Sequence, residues 1–116
     1  MQFVFSRQFH ARLSQYFTHE SLMDPLEMLT SNPTRGRVVR GLHGVRKLRF
    51  ADRLHRSGAR GGLRVIYKYV PQNATIVLYL VYRKSDQDDL LPRQRREIMS
   101  MTEFLSLLDD SSSPPS

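Results

Sequence analysis

Gly44-Val45-Arg46-Lys47-Leu48-Arg49-Phe50, answered by Gly61-Gly62-Leu63-Arg64-Val65-Ile66-Tyr67-Lys68-Tyr69, reads as two strands of a hairpin joined by a basic, glycine-containing loop. Successive side chains on a strand face opposite ways. With Leu48 and Phe50 turned to a core, Lys47 and Arg49 point together to the other face. Packing Leu63, Val65, Tyr67 and Tyr69 inward places Arg64 and Lys68 on that same side. Such a face suits a polyanion better than a sugar or a metal, because clustered cations gain binding free energy by releasing counterions from phosphates.

The charge balance agrees. From Arg35 to Lys68 there are eleven Lys or Arg and one acid, Asp52; this window carries +10 and leaves −3 for the rest of a chain of net charge +7. The competing reading is a solvated basic face, which leaves the convergence on one side of the hairpin unexplained. With 116 residues and 40% apolar content, one domain with one modest core is expected. The absence of cysteine excludes disulfides and thiolate metal sites and fits a reducing compartment. No stretch approaches the roughly 20 apolar residues that span a bilayer. Phe3 to Phe5 is too short for a signal-peptide core. A cytoplasmic location is expected, with no membrane contact.

Outward from the hairpin, Phe3 to Phe5 reads as a first strand, and Phe9, Leu13, Tyr16 and Phe17 form one helical stripe. The second helix has two possible starts, and Asp24-Pro25-Leu26-Glu27 is a good signal for one, with Asp as cap and Pro at the first position; either way Leu22, Leu26 and Leu29 share a face. A start near Thr18 or Ser21 would leave Pro25 inside the helix. Thr34 to His43 reads as a loop or weak strand edge. Thr75 to Lys84, apolar on both faces, is expected to be a central strand. Pro92 opens a last helix carrying Ile98, Met101, Leu105 and Leu108. The order is β-α-α-β-β-β-α, an α+β fold class. Residues 1–108 are read as the domain and 109–116, rich in Ser and Pro, as a disordered tail.

Together with Tyr82-Arg83-Lys84-Ser85 and Asp89-Leu90-x-Pro92, the hairpin motifs resemble the RelE/HigB toxins of bacterial type II toxin–antitoxin systems, in the HigB-like branch of the RelE/ParE superfamily. The likeness covers roughly residues 1 to 105. It implies a small antiparallel sheet with helices packed on one face and a basic cleft on the other. It also implies a ribosome-dependent endoribonuclease that cuts translated mRNA and is held inactive by a cognate helix-turn-helix antitoxin. Translated mRNA and ribosomal RNA are the implied partners, with no cofactor and no small-molecule ligand.

Carried over by position, Arg64 matches the arginine that stabilises the scissile phosphate, and Lys84 a second phosphate-binding cation. Lys47 and Arg49 match basic positions of the preceding strand. Lys68 stands where an aromatic is common in the branch. The C-terminal helix has no tyrosine to act as acid or base.

The chemistry sets its own requirements. Metal-free RNA cleavage needs a 2′-hydroxyl attack, charge stabilisation on the phosphorane and a proton for the leaving 5′-oxygen. Arginine stays protonated and is no base, so Lys47 and Tyr82 are the candidates for proton transfer. The catalytic set is thus Lys47, Arg64, Lys84 and Tyr82. Arg46, Arg49, Arg53, Arg56, Arg60, Lys68 and Arg83 are expected to bind RNA or the ribosome. His10, His19 and His43 lack ligand spacing, and no metal is expected. Two alternatives keep the fold: a ParE-like DNA gyrase poison and a non-catalytic nucleic-acid-binding relative.

Overall fold

A computed structural model describes residues 1–52 and 62–112, with side chains as far as residue 107. The chain runs through β1 (Gln2–Phe5), α1 (Arg7–Tyr16), α2 (His19–Ser31), β2 (Arg37–Val38), β3 (Arg46–Phe50), β4 (Leu63–Val70), a 3-10 turn (Pro71–Asn73), β5 (Thr75–Arg83) and α3 (Pro92–Ser112). The α+β class stands. One five-stranded sheet has the order β1-β5-β4-β3-β2, and its third and fourth strands in the chain are the two arms of the hairpin.

Four features depart from the expectation. First, the sheet is mixed, because β1 runs parallel to β5 while the other neighbours are antiparallel. Second, the weak strand edge read within Thr34 to His43 forms as the two-residue β2 beside β3, one strand more than the predicted order counted. Third, helices cover both faces. Phe9, Tyr16, Phe17 and Leu29 from the α1/α2 region pack with Leu48, Phe50, Leu63, Val65, Tyr67, Ile76, Leu78 and Val81 on one side. On the other, Ile98 and the partly buried Met101 and Leu105 of α3 join Ile66, Val77, Tyr79, Leu80, Tyr82 and Leu90. Arg49 and Arg64 lie on this second face. Fourth, α3 continues past Leu108 through Ser112, which shortens the expected tail to residues outside the described ones.

α2 takes the earlier of its two possible starts. Thr18 caps it, accepting from Ser21 N at 2.9 Å, while Ser21 Oγ accepts from Thr18 N at 2.9 Å. This reciprocal box satisfies two orphan donors at once, and Pro25 is carried inside the helix on its buried side. Leu22, Leu26 and Leu29 still share the core face.

The pairing of β4 with β5 slips between Ile66 and Tyr67: Ile66 faces Leu80, but Tyr67 faces Leu78. Tyr79 is thus an extra residue, a β-bulge, and both Tyr79 and Leu80 belong to the α3-side cluster. Ser6 fastens this point. Its N donates to Leu78 O at 2.9 Å and its Oγ donates to Tyr79 O at 2.6 Å, while the same Oγ caps α1 by accepting from Phe9 N. Among the described residues, no helix is long and apolar enough to cross a membrane.

Tyr67 is core, as expected, with 0% exposure. Its hydroxyl accepts from Gly36 N at 2.9 Å and donates to Pro33 O at 2.8 Å. Tyr67→Phe strands two backbone groups and is expected to cost about 1–3 kcal/mol in urea unfolding.

Candidate active site

The antiparallel register places Arg49 of β3 directly opposite Arg64 of β4, and Arg64 directly opposite Tyr82 of β5. The three side chains form one row across the sheet on the face opposite Leu48 and Val65. Opposed like charges in adjacent strands are destabilising. Arg64 is only 4% exposed. Its burial, and then the neighbouring Arg49, hold its pKa below the ordinary arginine value; it remains a cation at neutral pH. Tyr82 is 1% exposed, and its hydroxyl has no hydrogen-bond partner among the described residues. Burial, followed by the Asp89 carboxylate, pushes the Tyr82 phenol up to about 12.

The acidic turn after β5 stands over this row. Asp89 lies 3.5 Å from Lys47 Nζ. Lys84 Nζ donates to Asp88 O at 2.9 Å and pairs with the Asp88 carboxylate. The Leu90 N–H donating to Asp89, together with Lys47, holds the Asp89 carboxyl below its usual range. The hydrogen bond from Lys84 does the same for Asp88. The turn is braced from α3: Gln87 Nε2 donates to Gln94 Oε1 at 2.8 Å, and that oxygen also accepts from Leu91 N at 2.9 Å. Gln94 thus supplies the cap that Leu91 lacks, at the position where a Glu or Gln reaches back to the first residue of a helix.

No protein-family model matches the chain. Among solved structures, it is similar to a mutant of the E. coli toxin RelE in the free state, with a TM-score of 0.50 and 14% sequence identity over 75% of this chain and 86% of that one. The fold is RelE-like. At this identity the likeness speaks for the architecture alone, and the functional argument rests on the residues.

On this RelE-like frame, Lys47, Arg49, Arg64, Tyr82 and Lys84 gather at the β3–β5 end of the sheet face that α3 packs on, with Arg64 and Tyr82 buried and Arg49 exposed. Arg46 and Arg83 do not. Arg46 shares the face of Leu48, and its guanidinium donates to Thr34 O at 3.1 Å and Gly36 O at 2.8 Å. Arg83 turns to the α1 side, with its Nε 3.0 Å from the fully buried Asp52, Nη1 3.3 Å from Asp86, and its guanidinium carbon 5.3 Å from the Tyr16 ring centroid. Both hold the fold together. Lys68 lies on the open face but donates to His43 O at 3.1 Å. Arg53, Arg56 and Arg60 lie outside the described residues. Sequence reasoning missed the parts played by Asp88 and Asp89, although the Asp89-Leu90-x-Pro92 motif was in view. Among the described residues, no group of three His, Asp or Glu converges on a metal-ligating position.

Proposed function

We propose that the protein is the toxin of a type II toxin–antitoxin system, of the HigB-like branch, acting as a metal-independent, ribosome-dependent endoribonuclease on translated mRNA. The observation that carries this reading is the row Arg49, Arg64 and Tyr82. Two arginines side by side with a phenol that is buried without a hydrogen-bond partner among the described residues bring two fork-shaped cations and a proton donor to one place, a set that suits a phosphate.

In the proposed reaction the 2′-hydroxyl gives its proton to solvent water as it attacks the adjacent phosphorus, the bond to the 5′-oxygen breaks, and a 2′,3′-cyclic phosphate is left. Arg64 presents its fork to the non-bridging oxygens, where negative charge grows. Lys84 is the second phosphate contact, and Arg49 holds the backbone. Tyr82, protonated up to about pH 12, gives its proton to the leaving 5′-oxygen. Lys47, paired with Asp89 at 3.5 Å, is proposed as a positive charge beside the reacting phosphate. A cognate helix-turn-helix antitoxin is the proposed protein partner.

Asp88 and Asp89 occupy Lys84 and Lys47 in the RNA-free protein, so an incoming phosphate competes with them. Exposed ion pairs of this kind are weak, because water screens them. The Asp88→Asn/Asp89→Asn variant is therefore expected to bind single-stranded RNA up to about fivefold more tightly by fluorescence anisotropy.

The deciding experiment is induced expression of wild type and Arg64→Ala side by side, with primer extension on a translated message. Codon-phased cuts by the wild type alone support the nuclease. Equal growth arrest in both counts against it, and DNA-damage signalling without cuts would assign the fold to a gyrase poison.

A further inference from the structure

A second basic depression lies at the other end of the same row, at the β2–β3 edge. It encloses about 310 Å³ and is lined by Arg35, Gly36, Arg37, Lys47, Leu48 and Arg49. Arg37 pairs with Lys47 across the two strands. Arg35, Arg37 and Arg49 are exposed and meet no carboxylate at ion-pair distance among the described residues. Four cations thus share a small concavity, with Asp89 on Lys47 as the sole acid paired to any of them among the described residues.

The loop that presents them is held from several sides. Gly36 N donates to the Tyr67 hydroxyl, Arg46 donates to Thr34 O and Gly36 O, and Arg35 N donates to Asn32 O at 3.1 Å. A Cβ on Gly36 would come within 2.8 Å of the Tyr67 ring and 3.0 Å of Lys47 O, so glycine alone allows this approach. Arg35 and Arg37 flank that fixed glycine. Their backbone is ordered before any ligand arrives, which lowers the entropic cost of binding one. From β4 the depression is two strand spacings away, roughly 10 Å, within reach of a neighbouring nucleotide on the same RNA strand.

We propose that this depression is a subsite for a backbone phosphate of single-stranded RNA flanking the scissile one, with Arg35 and Arg37 as positioning residues. The RNA then crosses the strands from β5 toward β2 rather than following one of them. The inference rests on the nuclease reading for the identity of the scissile phosphate.

The test titrates a short, fully 2′-O-methylated single-stranded RNA against wild type and Arg35→Gln/Arg37→Gln over a range of NaCl concentrations. A ribosome-programmed cleavage assay is run in parallel. Loss of one phosphate contact is expected to weaken binding several-fold at low salt. It should also lower the slope of log K against log salt by about 0.7. In the cleavage assay the loss should fall on KM rather than kcat. An unchanged slope with an unchanged KM, in a wild type that cuts messages, removes the subsite and leaves the nuclease. The predicted slope change in a wild type that cuts nothing keeps the subsite and removes the nuclease. A wild type that does not bind the RNA at all overturns the subsite.

Discussion

Arg64→Ala is expected to lower cleavage of translated message by about 10²–10³-fold, the cost of deleting one preorganised donor aimed at developing charge. The loss should appear in kcat, because the guanidinium's contact strengthens as charge builds on the phosphorane. Arg64→Lys is expected to recover only part of it, since an ammonium on a flexible stem lacks the planar fork. Single-turnover cleavage on programmed ribosomes measures both. Wild-type kcat in Arg64→Ala would remove the residue from the site. Arg64 is 4% exposed and donates to Leu63 O at 3.2 Å, so thermal unfolding of Arg64→Ala is measured beside cleavage, and a folded variant without cleavage is the expected result.

Tyr82→Phe is the second large effect, with cleavage falling by about 10²–10⁴-fold if the phenol is the general acid. Stability should move the other way. The hydroxyl is buried without a partner among the described residues, so removing it relieves a desolvation cost of about 1–3 kcal/mol. Thermal unfolding at neutral pH should therefore show the inactive variant to be at least as stable as the wild type. At alkaline pH the two should diverge further. The unfolded chain loses the Tyr82 proton near pH 10 but the folded protein holds it to about 12. Wild-type stability therefore falls across that interval by an amount the variant escapes. A variant that is both fully active and less stable would return Tyr82 to the core.

Much of this arrangement was legible in the hairpin. Period-two alternation separated Leu48, Phe50, Val65 and Tyr67 from Lys47, Arg49 and Arg64, and the structure keeps that division. What escaped depended on partners distant in the chain. Nothing local to Arg46 says that its guanidinium meets the carbonyls of Thr34 and Gly36, and nothing local to Arg83 announces Asp52. A strand cation reads alike whether it faces RNA or binds its own protein. The α2 start stayed open in the sequence because Asp-Pro is a strong local signal, whereas the Thr18–Ser21 box and the burial of Pro25 are settled by packing. The parallel placement of β1 beside β5 and the coverage of the second face by α3 are tertiary choices that periodicity does not report.

The extra residue at Tyr79 has a meaning beyond the shape of β5. It sets the parity of the strand that follows: Leu80 and Tyr82 face α3 because one residue has been counted twice against β4. Ironed flat, the same strand would present Val81 to the open side and turn Tyr82 inward. A serine hydroxyl at the far end of the sequence, bonded to the Tyr79 carbonyl, thereby helps decide which face of the sheet receives the phenol.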